Sequence, residues 1–195
     1  MSLTLAELEK FWLNPERDFV AYAELLRVAR RLRDSRRRTV AFLPSDAPVP
    51  VTDVALQLSR ALGNVVRGPV GFVDANTRRP QLNGLVLVPP AEGWRGFQAA
   101  RVDEWLTILT PFGCQGDAGL DLALITHAIR HECSPFRYVV VDLTGFEREG
   151  EHFSAIDLAD GVVVVAEAGR THERDVLKAN QQLTEGRDLG VLLVG

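Results

Sequence analysis

Three features of this sequence predict an α/β fold, a three-layer arrangement with a mostly parallel sheet between helices. The strand candidates, such as Tyr138 to Val141 and Val162 to Val165, are unbroken apolar runs, the pattern of strands buried on both faces. Amphipathic helical stretches separate these runs, so strand and helix alternate along the chain. Acids end two of the strand candidates, Asp74 and Asp142, and in open parallel sheets the carboxyl ends of the strands are where ligands bind.

The 195 residues are 46% hydrophobic and 25% charged, which fits a single globular domain over 1–195 with enough chain for a sizeable core. A net charge of −4 argues against broad nucleic-acid binding. The charge is uneven: the arginine-rich run Arg27 to Arg38 either faces an acidic partner or is a solvated helix end, and the solvated end is the simpler reading. No signal peptide and no apolar run of membrane-spanning length is visible, so direct membrane insertion is not expected. Two cysteines, Cys114 and Cys133, point to reduced thiols and a cytoplasmic home.

From the N-terminus, Ser2 to Leu13 reads as a short helix, and Asn14-Pro15-Glu16 as the start of the next one: a capping side chain, a first-turn proline and an early acid. That second helix is expected to bury Phe19, Tyr22, Leu25, Leu26, Ala29 and Leu32 at three-to-four-residue spacing. Its other side carries Glu24, Arg27 and Arg30, which read on their own as surface ion pairing. The N-terminal helices occupy 1–38.

Thr39 to Leu62 is the stretch around which the rest is organised: a buried strand to Leu43, a loop from Pro44 to Pro50, then a helix that Gly63-Asn64 should end. Strand, loop and helix are the frame of a nucleotide-binding P-loop, GxxxxGK[ST]. In register, Ser45 and Pro50 stand for its glycines, Val51 for its lysine and Thr52 for its Mg²⁺-binding hydroxyl. Only the hydroxyl remains. Pro44, Pro48 and Pro50 have no N–H to offer, Val51 has no charge, and Asp46 adds a negative one. Charge-assisted hydrogen bonds are worth roughly 1.5–3 kcal/mol each, so the lost lysine and amides remove about 4–8 kcal/mol. A micromolar site needs about 8 kcal/mol. The loop reads as a dismantled nucleotide site, with no cofactor; ATP and Mg²⁺ enter only if it has been rebuilt around Thr52, Asp74 and Asp142.

Beyond it, Val70 to Val73 is a strand leading into Asp74-Ala75-Asn76-Thr77-Arg78-Arg79-Pro80, and Leu106 to Leu109 is a third strand. A helix from about Asp117 to His131 precedes Tyr138 to Asp142, a buried strand ending in a carboxylate as a Mg²⁺-binding Walker B strand does. Val162 to Val165, a helix from His172 to about Leu183, and Val191 to Val194 complete the alternation.

The order of degenerate P-loop, VDANTRRP, YVVVD and ADGVVVVAEAGRTHERDV resembles the deviant P-loop ATPases of the MinD/ParA type. Within them it is most similar to the bacterial tyrosine kinases (BY-kinases) of capsule and exopolysaccharide synthesis, over roughly residues 16–195. The resemblance matches the family's second Walker A motif, D-A-D-x-R-x-P, to Asp74, Asn76, Arg78 or Arg79 and Pro80, and its Walker B aspartate to Asp142. It matches the ring-forming Glu-x-x-Arg-x-x-Arg motif to Glu24, Arg27 and Arg30, a candidate oligomer interface. Asp46 departs from the signature lysine of MinD-type proteins, and Pro50 and Val51 from the catalytic pair. The family is phosphorylated on a C-terminal tyrosine cluster, whereas the tyrosines here are Tyr22 and Tyr138. Neither a donor site nor an acceptor tail is expected, and no catalytic residue is assigned.

His127 and His131, four apart, with Cys133 beyond, have a spacing that can ligate zinc, but no convincing fourth ligand follows and no metal site is assigned. Neither Cys114 nor Cys133 has a recognisable partner as a nucleophile. Trp94 lies in a Gly- and Pro-rich segment read as a surface loop, where an aromatic serves a partner or the core.

The resemblance implies a non-catalytic interaction protein of polysaccharide synthesis or export. It would be cytoplasmic, peripheral to the inner membrane through a partner: a membrane polysaccharide copolymerase or a kinase-like subunit. The alternatives are a residual ATPase or tyrosine kinase, and a MinD/ParA-like positioning factor.

Overall fold

A computed structural model of the chain describes residues 18–45, 49–76, 82, 97–111, 125–145 and 156–195. The expected helix at Ser2 to Leu13 and the helix start at Asn14 lie outside these residues. So do Asp46, Pro48, Arg78, Arg79, Pro80, Trp94, Cys114 and the first part of the helix expected from Asp117. The described elements are α1 (Phe19–Ser35), β1 (Thr39–Pro44), α2 (Val51–Val66), β2 (Val70–Asp74), β3 (Phe97–Arg101) and β4 (Leu106–Pro111). A π-helical segment (Ala128–Glu132), β5 (Tyr138–Asp142), β6 (Gly161–Glu167), α3 (Glu173–Gln181) and β7 (Asp188–Val194) follow.

Among the described residues, seven strands form one sheet in the order β3-β4-β2-β5-β1-β6-β7, parallel throughout except for the β3–β4 pair. Because successive side chains of a strand point to opposite faces, each apolar run feeds two cores. Val40 and Phe42 join Phe72, Val140 and Val163 beneath α1 and α2, whereas Ala41 and Leu43 join Val73, Val141, Ile125 and Ile129 on the other face. Leu58 and Leu62 of α2 are fully buried, each worth about 2 kcal/mol in apolar transfer. The predicted three-layer α/β fold, mostly parallel with helices on both faces, is what forms.

Several local expectations are corrected. Gly63-Asn64 does not end α2, which continues to Val66 and closes on Arg67 in the left-handed region at φ 46°. Gly63 is instead a contact glycine: a Cβ there would lie 2.8 Å from the Cβ of Trp105. Phe19 is not buried. It stands 70% exposed in the first turn of α1, and the helix enters the core only at Ala29 and Leu32, with Tyr22, Leu25 and Leu26 half-buried. The arginine run does more than meet solvent. Arg37 donates to the carbonyl of Gly186 (2.9 Å) and Arg38 to those of Ser134 and Phe136 (2.9 and 2.8 Å), tying loops at the amino ends of the strands. β3, antiparallel at one edge, was not foreseen; Phe97-Gln98-Ala99-Ala100-Arg101 lacks the β-branched residues that announce a strand.

Candidate functional site

The site where this fold would hold a phosphate is built by the carboxyl ends of β1, β2 and β5 and the first turn of α2. The β-branched run of β5 positions Asp142, and the apolar β2 positions Asp74 beside it; the two are register partners on adjacent strands. Both are buried, at 1% and 0% exposure. Two buried carboxylates side by side need donors, and the chain supplies them. Asp142 Oδ2 accepts from the Thr52 hydroxyl at 2.5 Å, while Oδ1 accepts the Thr144 N–H at 2.9 Å and its hydroxyl at 2.6 Å. Asp74 Oδ1 accepts the Asn76 N–H and Oδ2 the Leu82 N–H, both at 3.1 Å. Asn76 in turn sits over Gly145, φ 97°, where a Cβ would lie 2.6 Å from the Asn76 side-chain nitrogen. That glycine is required twice, for its backbone angle and for the close approach.

The phosphate side of the site is different. Ser45, at the first glycine position, donates its N–H to the carbonyl of Val165 at 2.9 Å and so extends the sheet instead of a cradle. Its hydroxyl reaches Thr171 Oγ1 at 3.4 Å, and Thr171 accepts the Glu167 N–H at 2.9 Å, joining the loops after β1 and β6. Pro50, exposed, occupies the N-cap of α2 without a side-chain cap bond. Val51, at the lysine position, is 1% exposed and belongs to the core under α2, and its N–H turns to the Val49 carbonyl at 2.9 Å. Asp53, in the first turn of α2, has its carboxyl raised above the usual range by partial desolvation.

Thr52, Asp74, Asn76 and Asp142 are therefore brought together; Ser45, Pro50 and Val51 frame the same loop without offering it a donor set. Asp74 and Asp142 are the oxygen ligands that could face a hard cation, but each of their carboxylate oxygens already accepts a protein hydrogen bond. Among the described residues no group of three metal-ligating side chains converges. His127 and His131 tilt against each other with ring centroids 4.8 Å apart, and Cys133 is buried in the second core. Glu24, Arg27 and Arg30 stand apart from the crevice, all exposed on α1, with Glu24 and Arg27 paired at 2.7 Å within one turn. Tyr138 is buried and its hydroxyl donates to the Arg33 carbonyl at 3.3 Å, so it serves packing. Thr144 is the site residue that sequence reasoning missed. Its signal was available in the Asp-x-Thr spacing after a buried strand, where a hydroxyl two residues on can reach back to the carboxylate.

No family model and no curated protein matches the chain. Solved structures do match its fold. The VpsO kinase domain superposes with a TM-score of 0.70 at 18% identity, covering 91% of this chain and 95% of that one. The kinase domain of the Escherichia coli tyrosine kinase ETK gives 0.67 at 17% identity, over 87% of this chain and 75% of that one. A ParA family ATPase from Chlorobium tepidum gives 0.61 at 14% identity, over 80% and 73%. The chain has the BY-kinase-like, ParA-type P-loop fold. No helix among the described residues is long and apolar enough to cross a membrane.

Proposed function

We propose that this chain is a catalytically degenerate relative of the tyrosine kinase domains whose fold it shares, acting as an interaction or regulatory subunit in bacterial exopolysaccharide or capsule synthesis or export. It would dock on the cytoplasmic end of a membrane polysaccharide copolymerase, or on a kinase-like subunit, in place of an active kinase. The observation that carries the reading is Val51: the position that should deliver a lysine to phosphate is a core residue at 1% exposure. The carboxylates support it, because their oxygens accept from the chain's own donors and hold the strand ends together. Titration calorimetry with ATP·Mg²⁺ to millimolar concentration tests the loss of nucleotide, and no heat of binding is expected. Biolayer interferometry against the cytoplasmic segment of a co-encoded copolymerase tests the partner, and saturable binding is expected.

A second reading, residual nucleotide binding, is favoured by one contact, the Thr52–Asp142 hydrogen bond, which keeps a P-loop hydroxyl beside a strand-end aspartate. A thermal shift of several degrees with ATP·Mg²⁺ but not with AMP would establish it and sink the first. Self-association through Glu24, Arg27 and Arg30 belongs to the first reading; there the arginines would pair with acids of a neighbouring subunit, head to tail.

A further inference from the structure

The loops that enter β2, β5 and β1, three neighbouring strands at the middle of the sheet, carry Arg67, Arg137, Arg36 and Arg38. Long-range contacts gather them at one place. The Tyr138 hydroxyl donates to the carbonyl of Arg33 near the end of α1, and Arg137 donates to that of Val66 at the end of α2, at 3.3 and 3.0 Å. Both helices therefore finish over the start of β5, and Arg38 reaches the same loop through the Ser134 and Phe136 carbonyls. Arg36 and Arg67 are the non-glycine residues with positive φ among the described ones, at 58° and 46°. Each closes a helix in the left-handed region, where glycine or asparagine would sit at lower energy. Their guanidinium groups do not cap the helices. Among the described residues neither has an ion-pair or hydrogen-bond partner, and both residues are exposed. The nearest acid in sequence, Asp34, pairs with Arg33 at 2.8 Å.

We propose that this basic strip docks a short acidic segment of a partner protein, extended across the amino ends of β2, β5 and β1. The inference goes beyond the proposed function and holds whichever pathway the partner serves. The chemistry follows from the residues. A guanidinium fork matches a carboxylate and carries five N–H donors. Arg38 and Arg137 are already held on backbone carbonyls and keep further donors, so they lose little freedom on binding. Arg36 and Arg67 supply whole forks. The three strand ends span about 10 Å, and alternate side chains of an extended segment stand about 6.6 Å apart, so two or three carboxylates fill the strip. Acids bound it on both sides: Glu104 before β4 and Asp160 before β6, both exposed. Asp160 also accepts the Arg38 and Thr39 N–H groups, at 3.0 and 2.8 Å, which fixes it beside the strip. A flat anionic membrane would meet those acids together with the arginines, whereas a narrow peptide runs between them. The flanking charge therefore favours a peptide over a lipid surface.

Fluorescence anisotropy of the full chain tests it, with a fluorescein-labelled peptide in which Glu and Ser alternate and its Gln-Ser counterpart. Saturable binding of the Glu peptide alone is expected, weakening severalfold as salt rises from about 50 to 300 mM. Arg36→Gly with Arg67→Gly should weaken it at least about tenfold while the thermal midpoint stays or rises, because glycine suits both backbone positions. Arg170→Gln with Arg174→Gln removes the same charge beyond the carboxyl end of β6 and should change affinity less than about twofold. A wild-type chain that does not bind the Glu peptide at low salt overturns the proposal. So does an equal loss from both arginine pairs, which is bulk charge, or a midpoint lowered by the glycines, which makes the arginines part of the fold. Binding to phosphatidylglycerol vesicles in preference to the peptide overturns it too, in favour of a membrane.

Discussion

The crevice at the carboxyl ends of β1, β2 and β5 and the outer edge of β7 belong to one sheet and are opposite in chemical state. In the crevice, the side chains with functional potential, Asp74 and Asp142, are buried and every carboxylate oxygen accepts a hydrogen bond from the same chain. At the edge, Val191 and Leu193 are exposed, and β6 is the strand's one described neighbour. The crevice ties its carboxylates to the chain's own donors, while the β7 strand shows apolar side chains to solvent.

The largest effect that would sharpen this contrast is at Asp142. Replacing it with Ala strands the Thr52 hydroxyl and both Thr144 donors and should destabilise the fold by about 3–4 kcal/mol in urea unfolding. A loss below about 1 kcal/mol would mean that these contacts hold nothing together, and the closed-crevice reading would go with them. Restoring the phosphate loop comes next: Pro50→Gly with Val51→Lys should cost about 2–4 kcal/mol, because the new ammonium enters the core under α2, and ATP·Mg²⁺ should still give no thermal shift. Recovered nucleotide affinity in that variant would break the comparison from the crevice side.

Smaller effects follow on the surface. Glu24→Ala with Arg27→Ala should change monomer stability by no more than about 0.5 kcal/mol, since the pair is exposed on both sides, at 52 and 58%. Smallest of all is Asp53→Asn. Desolvation raises the Asp53 carboxyl in the folded chain, so the folded state holds its proton longer than the unfolded state. Its unfavourable contribution sets in as pH rises through the unfolded value and is complete above the folded one. The variant should be stabilised more at pH 7 than near pH 3; a gain larger at pH 3 than at pH 7 would reverse the sign.

Much of this was legible in the residues. β1, β2, β5 and β6 announce themselves as unbroken apolar runs, and Asp74 and Asp142 as acids at their ends, because burial on both faces leaves no polar alternation to confuse the pattern. Thr52 was legible from P-loop register alone. What was not legible depended on contacts distant in sequence. Gly63 looks like a helix stop until Trp105 is seen against it. Val51 could have pointed into a loop or into the core, and only the fold decides. Phe19 fits the helical stripe of α1, but the stripe begins before the sheet beneath it does.

The sheet order also dictates how the chain must be made. β1 lies between β5 and β6 and hydrogen-bonds to nothing near it in sequence. During synthesis, Thr39–Pro44 therefore leaves the ribosome with no strand to pair with until Tyr138–Asp142 has followed, an interval of roughly 5–20 s at ordinary elongation rates. Throughout it, Val40-Ala41-Phe42-Leu43 is an apolar segment without its sheet partners, and folding of the domain waits on its second half.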